Sequence, residues 1–243
     1  MNYSEFEKQL RKAIVTAAHD LYKSGMRFAV FKDTKSNSEF WTRTDNGGWR
    51  LRAGADPANA VRDIFTNGHL YATECATAMG IIYHKAVLDV YGDDLFNRTF
   101  PNVYLMDWDI RNPLLSKTGR MTPLRDSEVM LAGDRAYFAN PDHAPSLPQW
   151  QGENVILLED GNYYGHGIGI SSGENIIAAL NSRRDVGNPR SAYLMNQVGR
   201  PDFAKLAAVK TTYERNPDSV TVWHEFPSAV SVTRMEAKHS SFV

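Results

Sequence analysis

Phe6, Leu10, Ala13, Ile14, Ala17 and Leu21 recur every three or four residues and the run stops at Gly25. That spacing predicts an amphipathic helix, and Ser4 followed by Glu7 has the form of a capping box at its start. Residues 28–31 and 39–44 read as extended, and Asn46-Gly47-Gly48 supplies the turn of a hairpin into Trp49–Arg52. Asp56-Pro57 places a cap and a first-turn proline ahead of Ala60, Val61, Ile64 and Phe65, and Asn67-Gly68 closes that short helix. From Glu74 to about Tyr91 the apolar residues leave almost no polar face, which predicts a long, largely buried helix with Cys75 in its first turn.

Strand patterns dominate the remainder. Val103–Ile110 is β-prone, Gly133-Asp134 introduces the run Arg135–Phe138, and Asn154–Leu158 reads as a short buried strand. Asp160-Gly161 then turns the chain into Tyr163–Ile170. With a two-residue loop there, Glu159 faces Asn162, and Glu153 lies opposite Ile168, one diagonal step from His166. Glu153 and His166 would then share a face with Val155 and Leu157, covered by the helix of Cys75. Ser172–Arg184 returns to helix, and residues 219–223 read as a strand before a polar end. The order predicts an α+β fold, a central antiparallel sheet with helices against it. No Pro/Ser/Gly-rich linker divides residues 1–200, so one domain is expected over 1–243, with a core at about 4–203 and a C-terminal extension at 211–243.

Charge narrows the function. The 27 Lys+Arg nearly balance 28 Asp+Glu, which argues against a nucleic-acid partner, and 42% hydrophobic residues argue against disorder. The longest apolar stretch, Ala76–Val90, is cut by His84, Lys85 and Asp89, and no secretory signal opens the chain, so a soluble, cytoplasmic protein without a membrane contact is expected. A single cysteine forbids an internal disulfide and a structural zinc motif, and the seven histidines lack ligand spacing, so no metal and no cofactor is expected. Asp107 and Asp109 would point the same way along a strand, as a hard-cation site or, more simply, a solvated face. Gly165-His166-Gly167-Ile168-Gly169 sits in a hairpin, the wrong context for a dinucleotide fingerprint.

Cys75 is the first candidate for chemistry, because unpaired N–H groups and the helix dipole at a helix N-terminus favour the thiolate. The alternative is a small buried hydrophobe. Glu74 beside it is either a partner of the thiol or a dipole-complementing acid. Glu153, desolvated on an aliphatic face, would have the raised pKa that a proton donor needs near neutrality; it reads equally as an ordinary strand-edge residue, and His166 as a hydrogen-bonded structural histidine.

Tyr71–Ala78 around Glu74-Cys75, Tyr104–Trp108, and Trp150-Gln151-Gly152-Glu153-Asn154-Val155-Ile156-Leu157-Leu158 with Gly165–Ile170 resemble the spore-coat transglutaminases of Bacillus, protein-glutamine γ-glutamyltransferases. The resemblance runs from about Lys12 to Asp202, with further matches at Lys23–Gly25, Ala60–Ile64 and Ser191–Leu194. It implies a papain-like core, calcium independence and a cysteine nucleophile assisted by glutamate. Gly133-Asp134 and the following strand look like the lead-in to the catalytic histidine of related cell-wall endopeptidases, and Glu153 stands where that histidine is expected. By the same resemblance, Glu153 and Glu74 are candidate bases and His166 a supporting residue. Phe28, Trp108 and Trp150 match aromatics of the substrate passage, and Asn154 is placed with them in substrate binding. Relative to that family, the chain is expected to lack an N-terminal extension and to add a segment after about Phe203.

The expected reaction joins protein glutamines to lysines or other primary amines through a Cys75 thioester, with backbone N–H groups of the Cys75 helix as oxyanion donors. The rivals are a glutaminyl deamidase or papain-like amidase or peptidase, in which water takes the acyl group, and a non-enzymatic coat or binding module with an inert cysteine. A spore-coat or spore-surface location follows if the resemblance extends to biology.

Overall fold

The computed structural model describes residues 2–185, 187 and 190–220. Helix α1 (Tyr3–Lys23) buries Phe6, Leu10, Ile14, Ala17 and Leu21, as their spacing predicts. Its cap is Asn2, whose side chain accepts the Glu5 N–H at 2.8 Å. Ser4 therefore lies inside the first turn, because an asparagine two residues earlier caps as well as serine does.

Strand β1 (Arg27–Phe28) precedes a hairpin of β2 (Trp41–Arg43) and β3 (Trp49–Leu51). Helix α2 (Pro57–Thr66) starts where Asp56 accepts the Asn59 N–H at 2.8 Å. Strand β4 (Ala72–Thr73) lies parallel to β1, pairing Phe28 with Thr73, and leads straight into α3 (Cys75–Tyr91). Helix α4 (Asp93–Thr99) and strand β5 (Tyr104–Leu105) follow, β5 joining β3. The predicted strand 103–110 ends there. Asp107 takes a left-handed φ of 47° while its N–H bonds to Thr77 Oγ at 2.7 Å, which pulls the chain out of extended geometry. Asp107 and Asp109 therefore share no strand face.

The second half runs through β6 (Thr122–Pro123), β7 (Arg135–Ala139), β8 (Gly152–Leu157), β9 (Tyr163–Gly165), β10 (Gly169–Ser171), α5 (Gly173–Asn181), β11 (Tyr193–Leu194), β12 (Gln197–Val198) and α6 (Phe203–Arg215). The central sheet has the order β10-β9-β8-β7-β11 with every pair antiparallel, as expected. The larger core joins α1 and α3 to one face of it through Ile156, Leu158 and Tyr164. A smaller cluster of Ala136, Phe138, Val155, Ile176 and Leu180 packs α5 on the other.

Two details of the predicted hairpin change. Leu157 pairs with Tyr163 and the Leu158 N–H reaches Asn162 O at 2.8 Å, one residue out of the expected register. Gly161, at φ 81°, supplies the left-handed third position of a three-residue loop. The strand also stops at Gly165 and folds back through Gly169, so His166 and Ile168 sit in the reversal instead of opposite Glu153. The face of β8 that meets α3 carries Asn154 and Ile156, continued by Leu158 just past the strand, whereas the Val155 side is covered by α5. The expected strand at 219–223 begins in a 3₁₀ turn, Pro217–Ser219, and from 221 lies outside the described residues.

Candidate active site

The parallel pair β1–β4 delivers the chain to Glu74, whose extended backbone and carboxylate form the N-cap of α3. Its two oxygens accept the N–H groups of Ala76 at 2.5 Å and Thr77 at 2.7 Å. Cys75 is the first helical residue, partly exposed at the foot of a cavity of about 700 Å³. Phe28, Trp108, Asp107, Arg135, Tyr137 and Asn154 contribute to its walls, which are mostly apolar.

Asn154 approaches the nucleophile candidate directly, with Nδ2 3.6 Å from Cys75 Sγ. Its Oδ1 accepts from Arg135 Nη1 at 2.7 Å. Arg135 is buried, donates to Thr118 O at 3.1 Å, and lies 4.0 Å over the Trp108 ring. Sequence reasoning missed Arg135 and Tyr137. The available signal was an arginine two residues before a tyrosine in an otherwise apolar strand, which puts both on one face.

Glu153 is only 3% exposed, and its Oε1 accepts the Gly167 N–H at 3.1 Å. Burial, with the Glu74 charge adding to it, pushes its carboxyl up to about 8, against the weaker pull of the Gly167 bond. The raised acid expected from the sequence is thus present, although α3 covers the neighbouring face of the strand. Glu74 is raised as well, by burial first.

The thiol departs from expectation. Burial, followed by the charges of Glu153 and Glu74, pushes Cys75 up to about 12, while hydrogen bonds from Asn154 pull the other way. Burial is the larger cause, and the helix terminus offsets it little because the Ala76 and Thr77 N–H groups are engaged by a carboxylate, whose charge opposes a second anion beside it. The same engagement removes two of the expected oxyanion donors.

His166 holds Tyr164 Oη at 3.0 Å through Nδ1 and Arg27 O at 3.1 Å through Nε2. A carbonyl only accepts, so Nε2 carries the proton and Nδ1 takes the tyrosine hydroxyl. Burial lowers its pKa to about 4, leaving a neutral ring 6.3 Å from that of Phe28, with neither nitrogen free for the thiol. Trp150 is not in the cavity wall. It packs on the smaller cluster beneath Arg183, 4.9 Å above its ring. Among the described residues no three His, Cys, Asp or Glu side chains gather as a metal site, and no helix is long and apolar enough to cross a membrane.

The family model for protein-glutamine gamma-glutamyltransferases matches residues 1–210. The chain belongs to that family. It is 43% identical over 202 residues to the protein-glutamine gamma-glutamyltransferase of Bacillus subtilis strain 168, covering 83% of this chain and 79% of that one. The Bacillus cereus 03BB102 protein of the same name is 42% identical over 199 residues, 81% of this chain and 69% of its own length. A solved structure, the transglutaminase from Geobacillus stearothermophilus without its C-terminal extension, superposes with a TM-score of 0.78 at 45% identity, covering 85% of this chain and 96% of that one. Family membership makes the chain an acyltransferase and bears out the resemblance read from its motifs.

Proposed function

We propose that Cys75 is the nucleophile that carries the acyl group from a protein glutamine to a lysine or another primary amine, without calcium. The observation that carries this reading is the meeting of the Cys75 thiol and the Asn154 amide on one cavity floor, with the buried carboxyl of Glu153 on the residue before Asn154. The sulfur attacks the glutamine γ-carbonyl carbon as its proton passes to the ionised form of Glu153, which a pKa of about 8 keeps in equilibrium with the acid near neutrality. Carboxylic Glu153 protonates the amide nitrogen, the C–N bond breaks, ammonia leaves and a thioester is left. A neutral amine then forms the isopeptide C–N bond, the C–S bond breaks, and the amine's proton returns to sulfur. Phe28 and Trp108 make the passage apolar and favour the amine over water.

The test is incorporation of a fluorescent primary amine into a glutamine-bearing protein, with and without EDTA, in the wild type and in Cys75→Ala. Chelator-resistant labelling that disappears in the variant is expected. Labelling that needs calcium overturns the metal-free reading, ammonia release without labelling moves the protein to deamidation, and labelling that survives Cys75→Ala overturns the nucleophile. A spore-coat setting is a separate part of the proposal, and localisation of the tagged protein in its own cells tests it.

A further inference from the structure

The Glu74 cap leaves an oxyanion problem. An acyl transfer needs donors about 2.7–3.1 Å from the oxygen that becomes negative, and two of the N–H groups best placed at the start of α3 already serve the Glu74 carboxylate. Asn154 Nδ2, 3.6 Å from Cys75 Sγ, is a donor beside the reacting atom. Its direction is not arbitrary. A guanidinium has five donors and no acceptor, so the atom of the Asn154 amide that faces Arg135 Nη1 at 2.7 Å must be the oxygen, and the NH₂ group must face the sulfur.

Arg135 is itself fixed, donating to the Thr118 carbonyl, lying 4.0 Å over the Trp108 ring, and 2% exposed. Among the described residues no carboxylate pairs with this buried cation, and its Nη2 has no hydrogen-bond partner. An unpaired buried cation next to the site adds positive potential where charge develops.

On the reading that Cys75 is the nucleophile, we infer that the Asn154 side-chain amide is an oxyanion donor of the acyl transfer, and that Arg135 is the positioning residue that locks the amide with its NH₂ toward the substrate oxygen. Loss of Arg135 frees the amide to rotate and present its oxygen to the oxyanion, converting a donor into a repulsive acceptor.

Three variants, Asn154→Ala, Arg135→Met and Arg135→Lys, separate this role from a structural one when amine incorporation is compared with alkylation of Cys75 by iodoacetamide. Alkylation displaces iodide at a saturated carbon and builds no oxyanion. Asn154→Ala is expected to lower kcat by about 10²–10³-fold with KM within a few-fold of wild type, well beyond the smaller fall in alkylation rate that losing the Asn154 hydrogen bond to the thiol brings. Arg135→Met should fall in the same direction, and Arg135→Lys, which keeps a charged donor for Oδ1, should lie between it and wild type. If Arg135→Met does not fold, the lysine variant carries the test, with kcat depressed and alkylation retained. Near-normal kcat in Asn154→Ala overturns the inference, as does a parallel loss of kcat and alkylation, which would mean that the amide acts on the thiol instead. Failure of the nucleophile reading is distinct: it shows as crosslinking that persists in Cys75→Ala.

Discussion

At the scale of single residues, the site is governed by which charges are taken out of water. Glu153 could be named from the sequence because its motif and its aliphatic surroundings both mark it, and its carboxyl is indeed held near 8. Glu153→Gln is expected to lower kcat by about 10²–10⁴-fold, whereas the exposed Glu159→Gln should change it little; equal effects in a steady-state assay would remove Glu153 from proton transfer. The same group sets a stability slope. Below its ordinary value of 4.5 the carboxyl is protonated in both folded and unfolded chains, and burial adds no pH dependence. As pH rises toward about 8, the unfolded chain ionises while the folded one holds its proton, so stability declines across that window. Glu153→Gln abolishes this contribution, and its Tm should gain on wild type progressively between these pH values. A constant Tm difference from pH 4.5 to 8 would contradict the raised acid. The thiol could not be read this way, because burial and the charges of Glu153 and Glu74 raise it, and the helix N-terminus that would favour the thiolate has two of its N–H groups taken by Glu74.

At the scale of elements, helices α1, α2, α3 and α5 and most of the central strands were legible, since periodicity, caps and glycines act over a few residues. The register of β8 on β9 was not, because it turns on whether Gly161 closes a two- or a three-residue loop, a difference of one residue that local sequence barely weights. The consequence is chemical. The early end of β9 brings Gly165 against Glu153, where a Cβ would lie 2.8 Å from Oε1 and 2.9 Å from Cγ. Gly165→Ala is therefore expected to displace the buried carboxyl and cost about 10–100-fold in kcat while Tm falls by only a few degrees. Unchanged kcat would show that the position of Glu153 is not critical.

At the scale of the whole molecule, α1, the sheet and the entry to α6 are tied together at Asp134, which is fully buried. It accepts Arg11 Nη1 at 2.7 Å, Arg200 Nε at 2.7 Å and Nη2 at 2.6 Å, and the Leu131 N–H at 2.9 Å. Arg11 in turn lies 4.7 Å over Phe203 of α6. Because Asp134 immediately precedes Arg135, this cluster also anchors the strand that presents Arg135 to the cavity. Asp134→Ala leaves two guanidinium groups without their shared anion and is expected to cost about 3–5 kcal/mol, read by urea or thermal unfolding. A loss below about 1 kcal/mol would mean that the two arginines find water instead.

The sequence by itself determined that a cysteine opens a buried helix, that a glutamate stands at the head of an apolar strand, that helices cover an antiparallel sheet, and, through several long motifs, which family the chain joins. These are properties of neighbouring residues, whose spacing, caps and turn chemistry act along the chain. Only the tertiary structure decided that the strand turns Asn154 toward the sulfur, that Arg135 fixes that amide, that His166 is sequestered between Tyr164 and Arg27, and that Trp150 stays out of the cavity. Each of these depends on partners far apart in sequence, as Cys75 and Asn154 are at 79 residues. Burial and the charges it brings together, which set the acidity of Cys75 and Glu153, exist only once those distant segments have packed.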